Sequence, residues 1–125
     1  MILIYGGVYQ GKHEYAKERY GLDSSCFTGI SKENINLDCI KAIDDINSFV
    51  RLCVREGKEA KEELEARRSL WQDSILIMDD VSSGLVPMNA EDRAYREMCG
   101  RLTCFLAREA DEVYRVFCGL PQRLK

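Results

Sequence analysis

A glycine-rich segment near the start of the chain contains residue types that suit phosphate binding. It reads Gly6, Gly7, Val8, Tyr9, Gln10, Gly11, Lys12 and His13. The first seven residues fit G-x-x-x-x-G-K, in which glycines let backbone N–H groups converge on phosphate oxygens and the lysine reaches the terminal phosphates. The helix expected after the loop favours negative charge at its N-terminus. We therefore predict a P-loop that binds GTP or ATP; a glycine turn of purely structural use is the alternative.

The residue after the lysine departs from this pattern. A Ser or Thr hydroxyl normally binds Mg²⁺ there, whereas this chain has His13, its only histidine. Neutral imidazole is a poor ligand for Mg²⁺, which prefers hard oxygen donors. Two interpretations stay open: a residue of the first helical turn near the phosphates, and a nucleophile that takes a nucleotidyl group.

Two carboxylates follow an apolar run and could complete such a site. The run from Ser74 to Met78 is typical of a buried parallel strand, and it stops at Asp79 and Asp80. Acidic residues at this position can hold Mg²⁺, directly or through water, beside the phosphates of a nucleotide. We predict Asp79 and Asp80 as the metal ligands, although acidic residues at strand ends are also common without this function.

The elements expected around these residues alternate between strands and helices. The patterns predict strands at 2–5, within 25–30, at 74–78 and at 112–118. They predict helices after Lys12 up to Gly21, at 44–56, at 58–68 and at 90–109. A short tail is expected after Gly119 and Pro121, and the stretch 35–43 fits either a strand or the start of a helix. This alternation implies an α/β fold with a mainly parallel sheet, helices on both faces and ligands at the carboxyl ends of the strands.

Composition narrows the class of protein. A chain of 125 residues with 46% hydrophobic content corresponds to a single domain, 1–125. A net charge of -3 argues against binding nucleic acid. The apolar runs are far shorter than the roughly 20 residues of a membrane span, so we expect a cytoplasmic protein without a membrane partner. The six scattered cysteines form no C-x-x-C pair and are predicted to be buried free thiols rather than metal ligands.

The second half of the chain carries a more specific pattern. Its segments are Gly84-Leu85-Val86-Pro87-Met88-Asn89, Arg96 through Gly100-Arg101, Ala110-Asp111-Glu112-Val113, and Gly119 to Lys125. Together with the opening Gly6-Gly7 and Gly11-Lys12, this half resembles the adenosylcobinamide kinase / adenosylcobinamide-phosphate guanylyltransferase (CobU-like) family of late cobalamin biosynthesis. The resemblance covers about half of the chain.

The resemblance implies a RecA-like P-loop fold, Mg²⁺, GTP or ATP as the donor, a corrinoid substrate and a homotrimer. It also implies that Lys12 and Asp80 are the catalytic residues, because Asp79-Asp80 stands where the family has N-E. The family's guanylylated histidine lies between the second and third strands, and the region from Gly21 to Ser74 contains no histidine. The resemblance therefore implies a shortened member that retains at most the kinase activity; the alternative is a noncatalytic nucleotide-binding or assembly protein derived from that family.

Overall fold

The computed structural model describes residues 1–30, 41–82 and 88–125, which form one six-stranded sheet with helices on both faces. The strands run in the order β2-β3-β4-β1-β5-β6, and all neighbours are parallel except β5 and β6. Their bounds are β1 Ile2–Gly6, β2 Phe27–Thr28, β3 Ala42–Ile43, β4 Ile75–Asp79, β5 Glu112–Phe117 and β6 Leu120–Arg123. The helices are α1 Lys12–Tyr20, α2 Ile46–Glu56, α3 Ala60–Ala66 and α4 Ala90–Glu109. The predicted α/β P-loop architecture is confirmed.

Strand β1 lies at the centre of the sheet. It pairs with β4 from Ile2↔Ile75 to Gly6↔Asp79, and on its other edge it pairs with β5. Central parallel strands have both faces covered, which explains the continuous apolar run at the start of the sequence. Because neighbouring parallel strands end together, this arrangement brings the glycine-rich loop after β1 beside the carboxyl end of β4.

Side chains that alternate along the strands supply two separate cores. Leu3, Leu76 and Met78 pack with buried residues of α2, α3 and α4 on one face. Ile4 and Ile77 pack on the other face with Ala16 of α1 and its neighbours. The two-residue period of a strand sends successive side chains to opposite faces, and so three helices cover one side of the sheet and α1 covers the other.

The long helix α4 has the predicted bounds, 90–109. The Asn89 side chain caps it by accepting a hydrogen bond from the Glu91 N–H at 2.7 Å. Met98, Leu102 and Leu106 lie at helical spacing on its buried face. The helix predicted at 44–56 begins at Ile46, and the charged helix predicted at 58–68 is shorter, at Ala60–Ala66.

The predicted C-terminal tail is wrong, because the chain continues as strand β6. Strands β5 and β6 form an antiparallel hairpin in which Phe117 pairs with Leu120. Cys118 and Gly119 make the turn with φ of 52° and 74°. Positive φ at both central residues is the geometry of a type I′ turn, whose twist matches that of the flanking strands.

Two other expectations need adjustment. The second strand, expected within 25–30, is only Phe27–Thr28, and a short 3₁₀ turn precedes it. Of the ambiguous stretch 35–43, Ala42–Ile43 is a strand, and 35–40 lies outside the described residues.

The prediction of buried thiols holds for part of the set. Cys26, Cys53 and Cys99 are buried, whereas Cys104 and Cys118 are exposed, which corrects the prediction for those two. Cys104 lies on the solvent side of α4 and Cys118 lies in the hairpin turn; Cys39 falls outside the described residues.

The length and hydropathy of each helix indicate whether it could cross a membrane. Within residues 1–30, 41–82 and 88–125, none of the helices combines the length and the apolar character that crossing a bilayer requires.

Candidate functional site

The glycine-rich loop connects β1 to α1 and packs against the C-terminal hairpin. A Cβ atom added to Gly6 would lie 2.3 Å from the carbonyl oxygen of Val116 in β5, and one added to Gly11 would lie 3.0 Å from the Cα atom of Gly119. Gly11 also has a φ of 93°, in the left-handed region that favours glycine. These two glycines are therefore required by the close approach of the hairpin.

Hydrogen bonds tie the same loop to the hairpin turn. The backbone oxygen of Gln10 accepts from the Gly119 N–H at 2.8 Å, and its side-chain Oε1 accepts from the Cys118 N–H at 2.8 Å. Sequence reasoning did not find this support, because the tail was not expected to form a hairpin. The turn thus holds the loop at its most exposed part, next to Tyr9, whose side chain is almost fully exposed.

Lys12 is the most constrained charged group in the loop. It is only 4% exposed. Its Nζ donates to the carbonyl oxygen of Gly7 at 2.6 Å and lies 2.7 Å from Oδ1 of Asp79. A buried ammonium needs such partners because desolvation penalises an unpaired charge. The structure therefore brings two of the predicted site residues, Lys12 and Asp79, into direct contact.

The first turn of α1 faces the same space. The helix begins at Lys12, and the residue before it, Gly11, provides no side-chain cap. The first N–H groups of a helix have no partner within the helix, and together with the helix dipole they attract anions. This arrangement suits the phosphate groups predicted from the sequence.

A cavity of about 1040 Å³ opens over the loop. This volume is in the range of small-molecule sites and is sufficient for a nucleotide. Its wall is formed by residues 8–15 and by Glu18, Arg19, Asp79, Gly119 and Pro121. Most of the predicted loop residues line this one cavity, and Gly6 and Gly7 are not among its lining residues.

Asp80 has a different environment from Asp79. Its carboxylate accepts a hydrogen bond from the Ser82 N–H at 2.8 Å and another from the Ser82 hydroxyl. Burial opposes ionisation of Asp80, but hydrogen bonds from Ser82 and Tyr5 outweigh it and hold the pKa of the carboxyl below its usual value. Burial, and then the hydrogen bond to Asp80, raises the pKa of Tyr5 to about 12. Asp80 is thus part of a local network beside the loop.

His13 faces a carboxylate that sequence reasoning missed. Its Nε2 lies 3.2 Å from Oδ2 of Asp44, and its ring stacks on Phe27 with a centroid distance of 5.3 Å. Asp44 follows β3, a strand of two residues in a stretch whose pattern was ambiguous. The only signal in the sequence was an acidic pair after an apolar dipeptide, which is too short to predict a strand end.

The donor set fits Mg²⁺ only in company with a nucleotide. Within the parts of the chain that the structure describes, no three His, Cys, Asp or Glu side chains cluster closely enough to hold a metal ion. Position 13 provides imidazole, and two carboxylates beside the loop, Asp44 and Asp79, already contact His13 and Lys12. Phosphate oxygens and water would have to supply the remaining ligands that this hard cation prefers.

Comparison with known proteins agrees with the pattern in the second half of the chain. Residues 27–124 match the family model described as cobinamide kinase / cobinamide phosphate guanyltransferase; this range includes β2 to β6, and the glycine-rich loop precedes it. One curated relative is the bifunctional adenosylcobalamin biosynthesis protein CobU of Salmonella typhimurium, which is 37% identical over 51 residues. The alignment covers 41% of this chain and 28% of that relative. Because the family model matches well over half of this chain, the chain belongs to the cobinamide kinase / cobinamide phosphate guanyltransferase family.

Proposed function

We propose that the chain is a nucleotide-dependent phosphotransferase of cobalamin biosynthesis that retains at most the cobinamide kinase reaction. The observation that carries the proposal is the environment of Lys12, a nearly buried ammonium held 2.7 Å from Asp79 at the edge of a nucleotide-sized cavity. Membership of the family supports a corrinoid alcohol as the proposed acceptor and GTP or ATP as the proposed donor.

The proposed chemistry depends mainly on charge stabilisation. Phosphoryl transfer requires a donor held in line with its acceptor and groups that neutralise the charge on the transferred phosphoryl. The backbone N–H groups of residues 7–12 and the ammonium of Lys12 would bind the phosphates at the N-terminus of α1. Both groups are preorganised, because the hairpin holds Gln10 and the ion pair holds Lys12.

Mg²⁺ belongs to this proposal as a partner of the nucleotide. When bound, it would neutralise charge on the phosphate oxygens. Asp79, which lines the cavity, would hold it, with Asp44 facing the same turn of α1. Asp80, the carboxylate that the resemblance suggested as catalytic, is the less supported ligand because it is not among the residues that line the cavity and it accepts hydrogen bonds from Ser82.

Guanylyl transfer is the activity that we propose has been lost. A covalent nucleotidyl intermediate needs a nucleophile, and His13 is the only histidine in the sequence. Its Nε2 already contacts Asp44, and its ring is stacked on Phe27. The stacking on Phe27 supports a residue that packs beside the phosphates rather than one that attacks them. The Asp44 contact engages only Nε2 and favours neither interpretation.

Thermal stability tests nucleotide binding. A ligand that binds only the folded chain stabilises it by about 2.7 kcal/mol at 100 times its dissociation constant. GTP or ATP should therefore raise the melting temperature, and Lys12→Ala should remove most of this shift. Lys58→Ala is the matched control, because Lys58 is exposed and its ammonium pairs with Glu56, away from the cavity. An unchanged melting curve with saturating nucleotide would refute the phosphate site.

Turnover then separates the kinase from a binding protein. Transfer of the γ-phosphate to cobinamide, followed by mass spectrometry of the corrinoid, is the result expected for the kinase. Nucleotide-dependent stabilisation without any phosphorylated product would instead establish the noncatalytic alternative.

We also propose that the chain assembles as a homotrimer. Strand β6 forms one edge of the described sheet, and Phe117 and Leu120 of the hairpin are 63% and 72% exposed. Exposed apolar side chains on a sheet edge favour burial against another chain. Light scattering on reduced protein should give a mass near three times 14.3 kDa; a monomer would contradict this proposal.

A further inference from the structure

Asn47, in the first turn of α2, is joined to the end of strand β4 by two hydrogen bonds. Its Oδ1 accepts from the Asp79 N–H at 2.8 Å, and its Nδ2 donates to the Asp79 carbonyl oxygen at 3.2 Å. One side-chain amide thus satisfies both backbone groups of a single residue. This is the pair of bonds that a neighbouring β-strand would ordinarily supply.

The sheet needs this substitute because β3 is too short to reach Asp79. Strand β3 pairs with β4 only at Ile75 and Leu76, whereas β1 continues alongside β4 until Gly6 pairs with Asp79. Among the described residues, the backbone of Asp79 therefore lacks a strand partner on the β3 side. A half-buried N–H or C=O group left without a partner costs free energy comparable to a lost hydrogen bond.

The amide of Asn47 is itself held in one orientation. Its Nδ2 also donates to the Tyr95 hydroxyl at 3.2 Å, and the guanidinium of Arg51 lies 3.8 Å from the centroid of the Tyr95 ring. Rotating the amide by half a turn would place its oxygen against the Asp79 carbonyl oxygen and its nitrogen against the Asp79 N–H. Both hydrogen bonds would then be lost, so the observed orientation is fixed by its partners.

We propose that Asn47 is a positioning residue for Lys12. By fixing the backbone of Asp79, it fixes the carboxylate whose Oδ1 lies 2.7 Å from Lys12 Nζ. The ammonium is nearly buried, and its other contact is with the loop carbonyl of Gly7. Residue 47 therefore controls where the phosphate-binding ammonium lies, without contacting the cavity. The consequence for nucleotide affinity rests on the proposed function, whereas the consequence for Lys12 itself does not.

A double-mutant cycle tests the predicted consequence for nucleotide affinity. Asn47→Ala should weaken binding of a fluorescent GTP analogue about tenfold, the effect of losing roughly one buried hydrogen-bond partner. In a Lys12→Ala background the same change should have less than about a twofold effect, because a residue that acts through Lys12 has nothing left to position. Equal losses in the two backgrounds would overturn the proposal.

The matched control separates positioning from general destabilisation. Trp71→Phe removes another buried hydrogen bond, from Nε1 to the Leu64 carbonyl oxygen at 2.8 Å, on a different part of the molecule. It should lower stability yet leave nucleotide affinity within about twofold of native. If this variant weakened binding as much as Asn47→Ala, the effect of residue 47 would be structural and the proposal would be wrong.

Amine labelling decides the question without any nucleotide. Brief acetylation and mass spectrometry report how exposed Lys12 is, with Lys58 as the exposed reference amine. Asn47→Ala should raise labelling of Lys12 about fivefold or more, as expected when a restraint on a buried group is removed, and Trp71→Phe should not. Unchanged labelling in Asn47→Ala would refute the positioning role. A native chain that binds no nucleotide but shows the expected labelling would refute the proposed function alone.

Discussion

Replacing His13 by serine tests what the departure from the P-loop pattern does. In the native chain the side chains of His13 and Asp44 are 45% and 32% exposed, and the imidazole also stacks on Phe27. An exposed contact between an imidazole and a carboxylate, charged or neutral, contributes about 0 to 1 kcal/mol, and an aromatic contact contributes about 0.5 to 1.5 kcal/mol. The serine variant should therefore lose about 0.5 to 2.5 kcal/mol of unfolding free energy without nucleotide.

The same change should strengthen the effect of Mg²⁺ on nucleotide binding. Serine places a hydroxyl, a hard oxygen ligand, at the position that ordinarily serves the metal of a P-loop. Groups that support a metal ligand change affinity by about 10 to 100-fold, and so a direct ligand should improve Mg²⁺-dependent affinity by at least about tenfold. The stability loss and the affinity gain have opposite signs, which makes the pair of measurements diagnostic.

The assay compares dissociation constants of a fluorescent GTP analogue in Mg²⁺ and in EDTA. His13→Ala is the control, because it removes the imidazole without adding an oxygen ligand and should gain no response to Mg²⁺. An equal response of the native and serine proteins to Mg²⁺ would refute a metal-binding role for the side chain at position 13. An acid-labile, base-stable nucleotidyl adduct on His13 of the native protein would instead show that the imidazole is a nucleophile.

Three further predictions concern the framework of the site. Gly6→Ala should destabilise the chain by about 1 to 3 kcal/mol, because its new Cβ atom would collide with a backbone oxygen of β5. Gly100→Ala should stabilise the chain by about 0.5 to 1 kcal/mol, because Gly100 has open space around it in α4. Guanidinium unfolding of both variants measures these changes. The pKa of Tyr5 in the folded chain, about 12, lies above its ordinary value of 10.0, so between these pH values the unfolded chain binds fewer protons than the folded chain. The free energy of unfolding should therefore fall as pH rises through this window. Tyr5→Phe should reduce this dependence of stability on pH. Cys104 and Cys118 should be alkylated before Cys53 and Cys99, since burial raises the pKa of the Cys53 and Cys99 thiols and keeps them protonated. Peptide mapping after a short pulse would contradict this if Cys53 or Cys99 reacted first.

Local patterns were sufficient to predict the elements that form the centre of the molecule. The apolar run before Asp79 and the helical spacing of Met98, Leu102 and Leu106 predicted β4 and α4 almost to the residue. In such segments the helix or strand propensity of the residues agrees with the face that they bury, so the local sequence pattern is sufficient to predict the element. The loop before Lys12 was predictable for the same reason, because its glycines mark a backbone conformation that few other residues adopt.

The contacts that complete the site were not predictable in this way. Asp44 approaches His13 only because β3 lies between β2 and β4, and strand order leaves no trace in a local pattern. Strand β6 was missed because Pro121 suggested a tail and because Cys118 occupies a positive φ usually associated with Asn or Gly. In both cases the decisive partners are distant in sequence, so residue types alone gave no reason to place them together.

The hydrogen bonds between Gln10 and the hairpin turn have a consequence for the order in which the molecule forms. They join residues 108 positions apart, and β1 itself lies between two strands that begin at residues 75 and 112. Contacts of such long sequence separation carry a large loop-closure cost and slow the folding rate. During synthesis, β1 and the glycine-rich loop leave the ribosome before β4 and β5 exist. The geometry of the glycine-rich loop is therefore completed only after the hairpin that supports it has been made, although the loop precedes the hairpin in the chain.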